Sequence, residues 1–345
     1  MGLRVLTLQQ YEEWDSIVRT FGSYDTYWLS GYTKAFEIHG DGEPMLFFYE
    51  DSVSRGINVV MKRDVSADAH FKGILPPNSF YDFSTPYGYG GWIVEGEGSE
   101  QLFNAYEKWC VDNGIISEFV RFHPVLENQK YCEQHYDVIP LGNTVVMDIS
   151  SPEKIWSNLH SKNKNKIRKA KKNGVKIYSG RYPEIYRVFK EVYDGTMDKD
   201  NADKYYYFGE DFYRSILEDL PQNAQVFYAV YEDKIIAASI MLMANGFMNY
   251  HLSGSIKEYA GLAPTNLLLY VAALWGNANG CNTLYLGGGV GSGEDSLYKF
   301  KKGFYKPDDT KRFCIGKKIF NQEKYNVLLA MREPIESSYF PGYRA

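Results

Sequence analysis

The sequence predicts an α/β (α+β) protein made of two tandem domains, each a mixed, largely antiparallel sheet flanked by helices. Three observations carry this expectation. The 345 residues are 44% hydrophobic and 16% aromatic, enough apolar side chain for two ordinary cores. Short β-type runs alternate with segments of helical period in both halves, in the order strand, helix, helix, strand, strand. The strand pattern restarts at Thr144, in TVVMDIS, so the boundary is expected just before it, giving domains 1–143 and 144–318.

In the first half, residues 3–8 (LRVLTL) read as a strand, and Tyr11, Trp14, Ile17, Val18 and Phe21 follow at helical spacing. A second helix is expected from Ser30 to His39, stopped by Gly40. MLFFYED and GINVVMKRD read as paired strands. The stretch from Tyr81 to Gly91, YDFSTPYGYGG, reads as a stiff loop: Pro86 fixes its own φ and pushes Thr85 into an extended shape. Tyr81, Asp82, Thr85, Tyr87 and Tyr89 would give that loop a polar wall suited to a carbohydrate-like or peptide-like ligand. A helix from Ser99 to Asn113 should bury Leu102, Phe103, Tyr106, Trp109 and Cys110, and the strand IISEFVRFHP should end at Pro124. On it Arg121 and His123 alternate with Phe122 and share a face, His123 as a hydrogen-bonded structural residue.

In the second half, Ser151-Pro152 starts a helix whose apolar stripe, Ile155, Leu159, Ile167 and Ala170, runs until Asn173-Gly174. Most other positions after Ser161 are Lys, Arg or Asn, so that helix must face solvent or phosphate. VKIYS is a strand, Pro183 to about Met197 a helix, and Lys204 to Phe208 a tyrosine-rich link in which Tyr206 is a stacking candidate. After a helix from Asp211 to Leu220, AQVFYAVYED, KIIAASIMLMAN and GFMNYHLSGS form an antiparallel meander separated by turn signals at Asp233 and Asn245-Gly246. Gly261-Leu262-Ala263-Pro264 opens an apolar helix to Asn279, which should be buried against the sheet. Thr283 to Leu286 is a short buried strand that opens into Gly287, Gly288, Gly289, Gly291 and Gly293. Beyond it Leu297, Tyr298, Phe300 and Phe304 interleave with Lys299, Lys301 and Lys302.

Several function classes are excluded or disfavoured. No uninterrupted apolar run is long enough for a transmembrane helix, and the N-terminus lacks a signal-peptide pattern, so a cytoplasmic protein is expected. The four cysteines, Cys110, Cys132, Cys281 and Cys314, are too widely spaced for a metal or redox pair, and the histidines show no metal-ligand spacing. The formal net charge is −5, but it is unevenly spread. Lys162, Lys164, Lys166, Arg168, Lys169, Lys171, Lys172 and Lys176 stand together without an acid, and 299–318 is a second basic stretch. Two basic patches on an acidic body suggest a localised polyanion contact, with tRNA through 162–176 or peripherally with an anionic membrane surface.

The motifs LGGG…FKKGF, YDxxTPYGYGG, RFHP and the basic helix SKNKNKIRKAKKNGVKI together resemble the Fem-type transferases over nearly the whole chain. Those are double acetyltransferase-like (GNAT-fold) proteins that add amino acids to peptidoglycan precursors and grade into N-acyltransferases. The resemblance implies two GNAT-like domains, with the C-terminal helix, 319–345, returning to complete the first. It implies transfer of an aminoacyl group from aminoacyl-tRNA, or of an acyl group, to an amine of a cell-envelope precursor of peptidoglycan or polysaccharide type. No tightly bound cofactor is expected, and the donor is aminoacyl-tRNA or acyl-CoA. The GNAT pyrophosphate turn aligns with Glu258, Gly261 and Ala263, where an acid replaces the expected Gln or Arg and Pro264 removes an N–H. That departure favours the aminoacyl donor. The implied donor-side residues are Gly261, Ala263, Gly287, Gly288, Lys166, Arg168 and Lys169, and the acceptor-side residues include Arg121, Tyr206, Phe300, Phe304 and the tyrosine loop. Lys301 is the expected fixed charge for an oxyanion, with Tyr250 and His251 as proton-relay candidates. Two alternatives remain: an acyl-CoA-dependent N-acetyltransferase acting on an amino sugar or polysaccharide intermediate, and a non-catalytic envelope-precursor binding module.

Overall fold

The computed structural model describes residues 2–333 and 338–345, so that of the C-terminal stretch 319–345, residues 334–337 lie outside the described ones. The chain forms two compact units, Met1–Leu141 with Phe313–Ala345, and Gly142–Arg312.

The first unit opens with β1 (Gly2–Leu6), α1 (Tyr11–Arg19), α2 (Ser30–His39), β2 (Glu43–Glu50), β3 (Ser54–Asp64), β4 (Tyr81–Ser84), β5 (Ile93–Gly96), α3 (Glu100–Asp112) and β6 (Ile115–Arg121). The second runs from the later part of β7 (Asp137–Asp148) through α4 (Pro152–Asn158), α5 (Ser161–Lys172), β8 (Lys176–Gly180), α6 (Pro183–Lys199), α7 (Glu210–Asp219), β9 (Ala224–Tyr231), β10 (Lys234–Ala244), β11 (Phe247–Ser255), α8 (Pro264–Ala278), β12 (Thr283–Gly287) and α9 (Ser296–Lys302). The chain then makes β13 (Lys311–Ile319) and α10 (Gln322–Ala330).

The same plan occurs twice. In the first unit the strand order is β1-β2-β3-β4-β6, antiparallel until β4 and β6 pair in parallel. In the second it is β8-β9-β10-β11-β12, antiparallel until β11 and β12 pair in parallel. Each sheet gains one antiparallel strand from the other end of the chain segment: β13 beside β6, and the later part of β7 beside β12. In the second unit α5 and α8 share a core with Phe227, Ala229, Met241 and Met248. Alternate strand residues face the other way, where Gly254 lets the α6 backbone approach so closely that a Cβ there would stand 2.5 Å from Val192 O.

Four local readings are corrected. The stripe from Ile155 to Ala170 is two helices, α4 and α5, because Leu159 turns extended to become fully buried and the His160 N–H donates to Gly303 O. Residues 81–84 of the tyrosine loop are strand β4, since their backbone completes a ladder with β3. Of the C-terminal helix expected over 319–345, the described residues give only α10, Gln322–Ala330, because Ile319 ends strand β13, whose backbone completes a ladder with β6. Asp82, expected to meet substrate, is fully buried and holds the fold: Arg63 and Arg344 pair with it at 2.7 and 2.6 Å, and the Tyr343 hydroxyl donates to it.

Candidate active site

In the second unit β11 and β12 pair only at Phe247–Thr283, Met248–Leu284 and Asn249–Tyr285. Beyond them β11 continues with β10 to Ser255, while β12 continues with β7 to Gly287. Two parallel neighbours that keep different partners part company, and the residues just past the split border an opening. On the β11 side the first is Tyr250. The ladder with β10 steps from Ile240–Leu252 to Met241–Tyr250, so His251 is the extra residue of a β-bulge. Bulges re-aim side chains, and they concentrate at active sites.

The side chains of this bulge have distinct electrostatics. The Tyr250 hydroxyl hydrogen-bonds with Ser253 and Ser239, whose hydroxyls are themselves 2.9 Å apart; burial raises the phenol above its ordinary range despite them, so it stays protonated. Enclosure pushes the His251 imidazole down to about 3, which keeps it neutral at physiological pH and removes it as a general acid there.

On the β12 side Gly287 has φ +81°, a left-handed turn of the chain open to glycine, and a Cβ there would stand 3.3 Å from Lys301 Nζ. Asp295 caps α9: its carboxylate accepts the N–H of Tyr298 at 2.9 Å and that of Val290 at 3.2 Å, and these backbone donors hold it below the usual carboxylate range. The cap ties the glycine loop to the helix that bears Lys301. Lys301 is 9% exposed, and its ammonium donates to Gly288 O at 2.7 Å. Burial brings it down to about 8, with Asp295 as the opposing influence. An ammonium has three N–H donors, so two remain for a ligand oxygen. Phe300 is half-buried and meets Phe304 edge-on, whereas Phe304 is fully buried and serves packing, not substrate contact.

The connection from β11 to α8 bears on the donor. Ala263 has φ 54°, ψ 46°, no side chain caps α8, and Pro264 is its first residue. The Ala263 N–H donates to Ala260 O at 3.0 Å. Two donors of a GNAT-type pyrophosphate turn are therefore lost, although a Cβ at Gly261 would meet nothing within 4 Å. Lys166, Arg168 and Lys169 lie on α5, and Tyr206 is on the link before α7, packed edge-on against Tyr205.

The first unit holds the remaining candidates, and there the tyrosine loop is clamped from beneath. The Tyr32 hydroxyl donates to Tyr87 O, and the Tyr87 ring stacks on Phe36. Tyr89 lies edge-on to Tyr27, His123 and Phe313. Arg121 Nε donates to Gly88 O at 3.0 Å, its backbone N–H to Thr85 Oγ1, and its guanidinium lies 4.8 Å above the Phe313 ring. His123 Nε2 donates to Asp25 Oδ2 at 2.9 Å, with both residues fully buried, while Nδ1 accepts the Leu126 N–H. Tyr81 is apart from this group, under the Lys62 ammonium and bonded to Asn78.

Three contributors escaped sequence reasoning. Asp295, an Asp just before an apolar helical run, carries a capping signal that a closer reading finds. Ser239 and Ser253 had no such signal, because their meeting depends on the register of β10 and β11.

Residues 158–302 match the model of the acetyltransferase (GNAT) domain. No curated protein sequence matches the chain. Among solved structures, FemX is similar at a TM-score of 0.69 and 13% identity, covering 95% of this chain and 99% of that one. The C-terminal domain of a protein assigned as a lysylphosphatidylglycerol synthetase from Agrobacterium fabrum is similar at 0.56 and 13%, covering 94% of each chain. A conserved protein of unknown function from Bacteroides thetaiotaomicron is similar at 0.57 and 9%, covering 92% of this chain and 100% of that one. The fold is thus a tandem of GNAT-like units, as the order of elements predicted, and the match to the acetyltransferase (GNAT) domain falls in the second half.

Proposed function

We propose that this GNAT-type acyltransferase moves an aminoacyl group from aminoacyl-tRNA to a primary amine of a cell-envelope precursor, of peptidoglycan or polysaccharide type, in the cytoplasm. The observation that carries the reading is the enclosed Lys301 ammonium, pinned on Gly288 O where β11 and β12 part. The neutral amine attacks the ester carbonyl; a C–N bond forms, the ester C–O bond breaks, and the proton lost by the amine ends on the departing ribose oxygen. Lys301 supplies fixed positive charge to the oxyanion of that transition state. Tyr250, kept protonated by burial, relays the proton. Transfer is direct, with no covalent enzyme intermediate. Among the described residues no helix is long and apolar enough to cross a membrane.

Two features favour the aminoacyl donor: the start of α8, where the Ala263 N–H is engaged by Ala260 O and Pro264 has none, and the uncompensated cations of α5. A second reading, transfer of a small acyl group from acyl-CoA to an amino sugar, is favoured by the match to the acetyltransferase domain and by the open position at Gly261, where a Cβ would meet nothing within 4 Å.

The test is amide formation, followed by mass spectrometry, with aminoacyl-tRNA and acetyl-CoA as alternative donors to a peptidoglycan precursor or an amino sugar. Lys301→Ala, with its fold verified, is expected to lose about 10²–10³ in turnover. Turnover with acetyl-CoA alone replaces the donor assignment; precursor binding without turnover from either donor makes the protein a binding module; undiminished turnover in Lys301→Ala overturns the site.

A further inference from the structure

We propose that Ser239 and Ser253 are positioning residues for Tyr250: in series they donate to its phenol oxygen and so release its own O–H toward the departing oxygen of an ester donor. This deepens the transfer chemistry above and rests on it for the donor being an ester.

The register of β10 and β11 brings the three hydroxyls together. Ser239 and Ser253 are directly paired, and past the bulge Met241 stands opposite Tyr250. Side chains alternate along β10, so Ser239 and Met241 share a face, and their partners Ser253 and Tyr250 share it with them. Without the extra residue Met241 would face His251, and Tyr250 would turn to the other side with Ile240 and Leu242. The bulge therefore selects the phenol, not the imidazole, for the serine pair.

That face is otherwise apolar. Phe227, Ala237, Met241 and Met248 belong to the core shared with α5 and α8, and the Tyr250 ring packs against the same core. Ser239 is fully buried there and Ser253 half-buried, so both hydroxyls need partners. Ser239 donates to Ser253 at 2.9 Å, and both serines hydrogen-bond with the phenol. Each hydroxyl has one O–H. Three contacts among three such groups then leave one assignment: Ser253 donates to the phenol oxygen, and the phenol O–H closes the ring on Ser239 Oγ.

This ring is satisfied at rest and polarised for reaction. As charge develops on the departing ribose oxygen, the phenol O–H turns outward, and the serines stay behind as donors in series to the phenol oxygen. The C–N bond forms and the ester C–O bond breaks. The Tyr250 proton goes to the departing oxygen, and the phenolate takes the proton that the new amide nitrogen loses. Donors in series strengthen one another, and both serine bonds favour the phenolate over the phenol. Their contribution therefore falls on the transition state and not on substrate binding.

The test places 3-fluorotyrosine at position 250 of the full chain, where the fluorine acidifies the phenol, and follows its fluorine resonance through a pH titration. Ser239→Ala and Ser253→Ala should each raise the titration midpoint by about one pH unit, since a donor to the charged form is lost. Ser253→Thr should restore it, with melting curves confirming folded protein. In amide formation from aminoacyl-tRNA by the unlabelled chain, the two Ala variants should lower kcat about tenfold and leave KM unchanged. A midpoint that neither Ala variant moves, or undiminished kcat with the tRNA ester, makes the pair merely structural and overturns the proposal. Turnover from acetyl-CoA alone overturns the donor reading instead, because a departing thiolate needs no proton.

Discussion

Lys301 carries a stability cost that its chemistry explains. Its ammonium titrates at about 8 in the folded protein, against 10.5 for an ordinary lysine, so burial disfavours the charged form by about 3 kcal/mol. Between these values the unfolded chain binds the proton that the folded chain has shed, so this group makes stability rise with pH there; below about 8 the full penalty is present. Lys301→Met is therefore expected to raise the melting temperature at pH 7, with the gap to the parent chain closing as pH rises toward 10.5. The lost bond to Gly288 O reduces the gain by about 1 kcal/mol. Melting curves from pH 6 to 10.5 check the trend; a gap constant with pH would mean that Lys301 is not the group responsible. Turnover should fall on the alkaline side with an apparent pKa of about 8, because the electrophile is lost on deprotonation. The aromatic-and-lysine spacing of FKKGF marked Lys301 in the sequence. Its depressed pKa was not legible there, because it comes from the strands and helix that enclose it.

The glycine loop and α9 act as one element. A Cβ at Gly289 would fall 2.2 Å from Gly293 O and 2.3 Å from Asp295 Oδ1, so a larger residue must displace the carboxylate that caps the helix. Gly289→Ala is expected to lower kcat by about 10–100-fold, since small misplacements of a catalytic group are costly, while global stability falls by no more than about 2 kcal/mol, the worth of a cap. Steady-state kinetics beside chemical denaturation separate the two; equal losses in both would make the loop merely structural. The cluster of glycines was visible in the chain, but the reason for Gly289 was not, since Gly293 O and Asp295 approach it only when the loop closes. The break between α4 and α5 was hidden similarly. An apolar stripe at helical spacing runs through it, and only the burial of Leu159 and the His160 bond to Gly303 O interrupt the helix.

The first unit, unlike the second, depends on chain from beyond one continuous stretch. It is completed by β13, which pairs with β6, by Tyr325 and Leu328 of α10, and by the C-terminal Tyr343 and Arg344 that engage Asp82. A fragment ending at Leu141 therefore leaves β6 without its antiparallel neighbour and Asp82 without Arg344. Breaking a buried charge pair costs about 3–5 kcal/mol. This fragment is expected to lack a cooperative unfolding transition by circular dichroism, and adding a peptide of residues 313–345 should restore one. A cooperative transition in residues 1–141 alone would show that β13 and the C-terminal residues are dispensable.

The order of elements, the duplicated plan and the split between a basic helix and an acidic body were written in local pattern, because helical and strand periodicities, caps and charge runs are short-range properties of a chain. The parting of β11 from β12, the bulge at His251 and the serine pair under Tyr250 were not. Each depends on which strand keeps which partner or on residues far apart in the chain, and such pairings are resolved only when the cores close and fix register and burial together.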